Sequence, residues 1–406
     1  MRTRLTTLAA RCLLVSGFTI AATLAAVAEE TAEEAPTPTL TLQAAYSAEG
    51  WSVVDGGLED GGVYLDTAEL QAALDLDRAF GWTGAQAFAY GIAGNGNSIS
   101  QKVGDLQGSS GYETGVEGVR LIEAWVDQTF GGGSGSLRVG LLDVSGEFDA
   151  GEVRALFVNG SHGSGPDFSQ TGQNGPSMWP VTGLGARLNW NFENGAYARV
   201  AIVDGVPGDI DHPKRTAFDF DDGDGALIVG EAGLTNGQGR LWSIGIWGYT
   251  EEFPDLVTAE TRDDNVGFYV ALEERLGSRE EGAPFDLAGS LRFGVADDDI
   301  NPFESFFGAT LVATGLIEAR PNDQLGLGLA IVNAGDPFRF TIADAGGLPS
   351  RQEVNIELTY YADITDWLSV QPDLQWIINP GADHTIEDAF VAGLRVQVKN
   401  TWTLVD

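Results

Sequence analysis

The feature that most constrains this chain is a period-two alternation of apolar and polar residues, which recurs from about residue 43 to the C-terminal region. Residues 368–378 show it clearly, because their even positions are apolar and their odd positions are mostly polar. Residues 184–191, 285–295 and 390–398 repeat the pattern. Successive side chains of a strand point to opposite faces, so the alternation predicts many strands with one apolar and one polar face.

Segments of this kind number about sixteen along the chain. Their approximate bounds are 43–54, 65–77, 84–94, 119–130, 136–142, 182–191, 196–204, 226–234, 240–249, 264–276, 285–295, 307–317, 324–333, 353–363, 367–378 and 389–400. Every second connection is short, about 3–8 residues, whereas the others have about 10–39 residues. We therefore expect an all-β fold, a transmembrane antiparallel β-barrel of about 16 strands with short periplasmic turns and long external loops.

A soluble all-β protein is the main alternative to this fold. No repeat of about 20–50 residues is visible, which disfavours a propeller or a solenoid. A soluble sandwich is not expected to alternate short and long connections along its whole length. Beyond residue 28 no apolar run reaches about 18 residues, so no membrane-spanning helix is expected.

The N-terminal region has the pattern of an export signal. Two arginines precede an apolar stretch, which ends in a small-x-small site at residues 26–28. We therefore expect residues 1–28 to be a signal peptide that is cleaved after Ala28. Residues 29–42 are expected to form an acidic, flexible lead-in, and residues 43–406 a single barrel domain.

The charge of the chain argues against several classes of partner. It has 59 Asp and Glu against 22 Lys and Arg, which gives a net charge of −37. A chain this acidic is not expected to bind nucleic acid or to anchor to a membrane surface through basic residues. The single cysteine, Cys12, lies in the predicted signal peptide, so the exported chain would have no disulfide.

Three weaker motifs suggest chemistry that the rest of the chain does not support. Asp219, Asp221, Asp222 and Asp224 resemble part of a calcium-binding loop, but the glutamate expected at the twelfth position is missing, which favours a solvated loop. The three histidines lack metal-ligand spacing. His162 and the serine before it lack the strained turn of a nucleophilic serine. We expect no metal, no cofactor and no catalytic residue.

Five stretches of the chain carry more specific motifs. They are Glu-Leu-Thr-Tyr-Tyr at 357–361, Trp-Leu-Ser-Val-Gln-Pro-Asp-Leu-Gln-Trp at 367–376, Asp-Ala-Phe-Val-Ala-Gly-Leu-Arg at 388–395, Arg-Pro-Asn-Asp at 320–323 and Asp-Gly-Val-Pro-Gly at 204–208. Together they resemble the OprB-type carbohydrate-selective porins of bacterial outer membranes, and the resemblance extends over about residues 50–400. It implies a barrel of about 16 strands that passes sugars by passive diffusion through an arginine-lined constriction. The alternation by itself predicts only a porin-like barrel.

The C-terminus departs from the pattern of that family. Such barrels usually end in an aromatic residue that the assembly machinery recognises, whereas this chain continues from Asn400 to Asp406. Trp402 shares the outward parity of Val396 and Val398. We expect Trp402 to extend the last strand and to supply the terminal aromatic residue.

The parity of each strand assigns its polar side chains to the lumen, because a charge that faces lipid at the bilayer midplane costs about 2–4 kcal/mol. A sugar is rich in hydroxyl groups, so a channel that favours it needs planar polar side chains and aromatic faces. The candidate sugar-binding residues of the lumen are Glu123, Trp125, Asp127, Arg138, Arg187, Asn189, Arg199, Arg292, Glu357, Gln371, Asp373, Gln375 and Arg395. Trp125 is the leading candidate, because an aromatic ring in a polar lumen has no evident packing reason.

The arginines of this set, Arg138, Arg187, Arg199 and Arg292, are candidates for the constriction that the resemblance implies. The longest connection, residues 143–181, is the best candidate for a loop that folds into the pore. An external lid is an equally supported alternative for this loop.

The function predicted from the sequence is that of an outer-membrane porin, through which neutral carbohydrates such as glucose diffuse passively. A general or cation-favouring porin is the first alternative, because the chain is so acidic. An outer-membrane enzyme and a structural or adhesion barrel are alternatives of other classes. The expected partners are permeating sugars, outer-membrane lipid and the barrel-assembly machinery, and both a monomer and a homotrimer are compatible with the sequence.

Overall fold

A computed structural model describes residues 38–218, 223–237, 239–263, 265–278 and 283–405. The predicted signal peptide, most of the predicted lead-in, and Asp219, Asp221 and Asp222 of the weak calcium motif lie outside these residues. The first strand begins at Leu40. The predicted boundary at residue 42 was therefore wrong, because residues 40–42 already pair with the strands on both sides.

The described residues form eighteen strands, which are numbered in chain order. Their bounds are β1 Leu40–Gly57, β2 Gly61–Asp75, β3 Ala85–Gly94, β4 Gly118–Phe130, β5 Gly135–Leu142, β6 Gly183–Asn191, β7 Ala196–Asp204, β8 Ala226–Thr235, β9 Leu241–Tyr249, β10 Phe253–Pro254, β11 Thr261–Arg262, β12 Val266–Gly277, β13 Asp286–Ala296, β14 Phe303–Thr314, β15 Gln324–Ala334, β16 Gln352–Thr365, β17 Leu368–Ile378 and β18 Glu387–Leu404. All except β10 and β11 form one closed antiparallel barrel, which confirms the predicted fold and strand number.

The barrel closes where the first strand meets the last. β1 pairs with β18 from Leu40 opposite Leu404 to Val53 opposite Val391 before a bulge interrupts the register. Trp402 lies inside this ladder, opposite Leu42, so the last strand does continue past Asn400 as predicted. Closure leaves the barrel without an edge strand whose backbone groups would need another partner.

The barrel wall has its polar face inside and its apolar face outside, which is the reverse of the arrangement in a soluble protein. On β17 the inward Gln371, Asp373 and Gln375 are buried, whereas the outward Leu374 and Trp376 are 41% and 49% exposed. The other strands repeat this arrangement, with exposed branched and aromatic side chains around the outer surface. A belt of exposed apolar side chains is stable in lipid, where every polar backbone group is satisfied within the barrel.

Aromatic side chains lie near the ends of the strands, as the girdles of a membrane barrel require. Trp190 lies near the end of β6, Phe192 begins the turn after it, and Trp242 follows the turn after β8. Trp376 lies near the opposite end of the barrel, close to the end of β17. All four are exposed on the outer surface, at the depth where amphipathic rings favour the lipid–water interface.

The connections differ between the two ends of the barrel. At the end that holds both termini of the barrel, the strands are joined by residues 76–84, 131–134, 192–195, 236–240, 278–285, 315–323 and 366–367. At the other end they are joined by residues 58–60, 95–117, 143–182, 205–225, 250–265, 297–302, 335–351 and 379–386. The predicted strict alternation of length was wrong for 58–60, 297–302 and 379–386. A hairpin needs only a few residues to close, so a loop at this end is long only where it has another role.

The short helices of the described residues lie within these connections. They are α1 Leu76–Phe80, α2 Ser100–Val103, α3 Pro166–Ser169 and α4 Asp336–Asp344. No helix in the described part of the chain is long and apolar enough to cross a membrane.

Candidate functional site

The connection between β5 and β6, residues 143–182, folds into the barrel and is called the constriction loop below. The backbone N–H groups of Val158 and Asn159 donate to Glu357 on β16 at 2.6 and 3.1 Å. The N–H groups of Glu152 and Val153 donate to Glu273 on β12 at 2.8 and 3.1 Å. Of the two alternatives left by the sequence, the structure therefore has the loop inside the pore.

Buried ion pairs fix the middle of the constriction loop against the same wall. Arg292 on β13 contacts Asp149 at 2.8 Å and also pairs with Asp167. Arg154 of the loop contacts Asp149 at 3.0 Å. Removing either partner would leave a buried charge without compensation, so these pairs hold the loop in one place. Burial raises the pKa of Asp167 to about 6, although the charge of Arg292 opposes the shift.

A second loop, residues 95–117, also enters the barrel, which the sequence did not predict. The Leu106 N–H donates to Glu353 on β16 at 2.9 Å, and the Ser110 hydroxyl donates to Glu49 on β1 at 2.7 Å. Gln375 on β17 donates to the Ser109 carbonyl at 2.7 Å. The sequence did contain a signal for this loop, namely glutamates that parity places on the inner face of a strand. A buried carboxylate needs hydrogen-bond donors, and because the barrel wall does not supply them, a loop inside the barrel has to do so.

The constriction loop docks on β8–β17 and the second loop on β16–β18 and β1, and a group of charged side chains remains on the β4–β7 wall. Three arginines on adjacent strands face two carboxylates there. We call these five residues the arginine cluster: Arg138 on β5, Arg187 on β6, Arg199 on β7, Asp127 on β4 and Glu147 of the constriction loop. Arg138 contacts Glu147 at 2.7 Å and Asp127 at 3.0 Å. Arg187 contacts Glu147 at 2.9 Å and Asp127 at 2.7 Å. Arg199 donates to the Glu147 carbonyl at 2.7 Å.

The arginine cluster borders a small cavity, which Glu123 and the first turn of the constriction loop also line. Burial opposes ionisation of Glu147, but the charges of Arg138, Arg187 and Arg199 outweigh it and lower the pKa of Glu147 to about 2. The side chain of Glu147 is still 22% exposed. The cavity is therefore bordered by fixed, paired charges.

Trp125 does not present a ring face to the lumen, which corrects the reason for ranking it first. It is only 4% exposed, because Phe88 stacks on it at 5.0 Å and the Arg138 guanidinium lies 3.6 Å from its ring centroid. Its indole N–H donates to Glu123 at 2.9 Å. Trp125 thus has the packing reason that the sequence did not reveal, since it supports Arg138 from behind.

The remaining candidate residues all lie on the inner face but have different surroundings. Asn189 is half-buried and lies opposite Arg199 in the β6–β7 ladder. Gln371 donates to the Leu156 carbonyl of the constriction loop at 2.8 Å. Asp373 accepts from Gln375 at 3.0 Å, so both belong to the docked wall.

Arg395 on β18 forms a separate group with residues that the sequence did not single out. It contacts Glu49 at 2.5 Å, and its guanidinium lies 4.1 Å from the ring centroid of Tyr112 in the second loop. Glu231, Glu273 and Glu49 were missed as loop-binding residues, although their inward parity is readable from the alternation.

His162 is not assembled with a serine for catalysis. Burial, together with the charge of Arg154, lowers the pKa of His162 to about 3, so its ring is neutral. The Ser161 hydroxyl donates to Asn159 and Gln107 instead. His162 packs on Phe157 with the ring centroids 4.7 Å apart, which is a packing role inside the docked loop.

Comparisons with known proteins agree with this geometry. The profile of the carbohydrate-selective porin, OprB family, matches residues 59–399. Porin B of Pseudomonas aeruginosa is 26% identical over 398 residues, which cover 87% of this chain and 86% of that protein. The putative porin QuiX of Acinetobacter baylyi is 23% identical and covers 85% of each chain. The high-pH structure of Pseudomonas putida OprB shares the fold with a TM-score of 0.79 and 21% identity, covering 89% of this chain and 94% of that one.

Proposed function

This chain belongs to the OprB family of carbohydrate-selective porins, and we propose that neutral sugars of monosaccharide size cross its barrel past the arginine cluster. It is an outer-membrane channel of a Gram-negative bacterium, and we propose that it is not an enzyme. Export would begin with cleavage after Ala28, and assembly would use Trp402 as the terminal aromatic residue.

The observation that carries this proposal is the pairing of charges along the passage. Each guanidinium of the arginine cluster faces at least one carboxylate, so the passage is polar but close to neutral. A passage of this kind offers hydrogen bonds to hydroxyl groups without attracting ions of one sign. Contacts to a sugar would be weak and numerous, which allows the solute to leave again.

Within the set of candidate residues, we propose that Glu123, Arg138, Asn189 and Arg199 contact the sugar directly. They combine inward orientation with partial exposure. Arg292, Glu357, Gln371 and Gln375 would act indirectly, because their polar groups are taken up by the docked loops.

The test is osmotic swelling of liposomes that contain the refolded protein. We expect faster swelling in glucose than in a neutral amino acid of similar size, and slower swelling in a disaccharide. Equal rates for glucose and the amino acid would instead support a general diffusion porin. No swelling and no ion conductance from a verified folded barrel would contradict the transport function.

The acidity of the chain favours a cation-favouring porin as the second candidate. A net charge of −37 raises the local concentration of cations near the mouths of the pore. A strongly cation-selective reversal potential in a salt gradient, without a preference for sugar, would support this candidate.

A further inference from the structure

Glu147 is the only residue of the constriction loop that reaches all three guanidinium groups of the arginine cluster among the contacts described. The three arginines belong to adjacent strands, β5, β6 and β7. The Glu147 carboxylate lies 2.7 Å from Arg138, 2.8 Å from Arg187 and 3.9 Å from Arg199. A single loop side chain therefore compensates charge that comes from three of the sixteen barrel strands.

The ion-paired charges of the cluster balance only when Glu147 is counted; Asp143 lines the same cavity, but none of the described ion pairs joins it to these arginines. The three guanidinium groups face three carboxylates, those of Asp127, Glu147 and Glu231. Asp127 is shared by Arg138 and Arg187, and Glu231 lies 3.5 Å from Arg199. Without Glu147, three positive charges would face two negative ones.

The arginines are held in place by contacts that do not depend on Glu147. The guanidinium of Arg138 lies 3.6 Å from the ring centroid of Trp125, and that of Arg199 lies 4.2 Å from the ring centroid of Tyr197. Arg187 donates to the Ser136 hydroxyl at 2.5 Å. Loss of the Glu147 charge would therefore leave the guanidinium groups facing the passage with an excess positive charge.

We propose that Glu147 determines the charge preference of the pore, because its carboxylate prevents the arginine cluster from binding anionic solutes such as phosphorylated sugars. Guanidinium groups bind phosphate and carboxylate with two parallel hydrogen bonds, and an uncompensated cluster would offer such a site. This inference rests on the proposed function, since it explains how an arginine-lined passage serves neutral sugars. The residue that sets the preference belongs to the loop and not to the barrel wall.

The first experiment measures the reversal potential of single channels in a potassium chloride gradient. In Glu147→Gln we expect the potassium-to-chloride permeability ratio to fall about threefold to tenfold. One added positive charge about 6 Å from the ion path changes the local concentration of each ion about threefold in a water-like dielectric, and salt screening reduces the effect. Glucose 6-phosphate should also block the chloride current of this variant at lower concentrations than in the unaltered protein.

The control is Glu193→Gln, which removes the same charge from an exposed position in the turn between β6 and β7. We expect its permeability ratio to match that of the unaltered protein. Arg138→Gln should shift the ratio in the opposite direction, towards potassium. The double variant Glu147→Gln/Arg138→Gln should return the ratio close to its original value, because the charges balance again.

Two results would overturn the inference. One is a permeability ratio in Glu147→Gln equal to that of Glu193→Gln while the barrel is folded. The other is an unchanged ratio in Arg138→Gln, which decides the question even if Glu147→Gln does not fold. Failure of the proposed function would be seen separately, as equal swelling of the unaltered protein in glucose and in an amino acid of similar size.

Discussion

Glu273→Gln is expected to release the constriction loop from β12 and to widen the pore. The Glu273 carboxylate accepts the backbone N–H groups of Glu152, Val153 and Arg154 at 2.8 to 3.3 Å. A glutamine has one acceptor oxygen and an amide group that would face these donors. The Val153 N–H contacts both carboxylate oxygens, so whichever oxygen is kept, either Glu152 or Arg154 loses the acceptor of its N–H group.

The cost follows from the number of donors that are left unpaired. A buried donor without a partner costs about 1–3 kcal/mol, so the loss of one acceptor costs about 2 kcal/mol. Since about 1.4 kcal/mol is a factor of ten in population, this cost disfavours the docked segment about 30-fold. The Glu357 contacts would keep the rest of the loop in the barrel. The barrel ladder does not use the Glu273 side chain, so the wall should remain closed.

The assay is single-channel conductance together with liposome swelling in a disaccharide, and both are expected to increase. Glu274→Gln is the matched control, because it removes the same charge from the neighbouring residue, which faces outward and pairs with Arg240 at 2.9 Å. Equal conductance in Glu273→Gln and Glu274→Gln, with both barrels folded, would refute the reasoning that this carboxylate holds the loop.

Two further predictions concern the β4–β5 side of the passage. Trp125→Ala should lower the free energy of unfolding by about 3–5 kcal/mol, because a buried ring packed between Phe88 and Arg138 is replaced by a void; an unchanged midpoint in urea denaturation would contradict this. Burial raises the pKa of Asp143 to about 6, so acidification from pH 7 to pH 5 removes a negative charge beside the cluster and should lower the potassium-to-chloride permeability ratio. The pKa of Asp143 is higher in the folded than in the unfolded state, so protonation of this group makes the fold more stable as the pH falls through 6. Asp143→Asn should remove the contribution of this group to the change of permeability ratio and to the change of stability.

The local pattern of the chain was sufficient to predict the barrel. Successive side chains of a strand point to opposite faces. The sequence of one segment therefore indicates which side chains face lipid and which face the interior, even when the adjacent strands are not known. All sixteen barrel strands lie close to their predicted bounds, and parity assigned every candidate lumen residue to the inner face. Even Trp402 was readable in this way, because the outward parity of β18 continues through it.

The arrangement inside the barrel was decided by tertiary structure. Whether residues 143–182 formed a lid or a constriction depended on carboxylates such as Glu273 and Glu357, which lie more than a hundred residues away along the chain. Parity also could not separate Arg292, which is buried beneath the docked loop, from Arg138, which is partly exposed at the cavity beside the loop. The alternation of apolar and polar residues indicates only whether a side chain faces lipid or the interior. Which interior groups meet is set by long-range contacts between loops and wall, and these exist only after the barrel has closed.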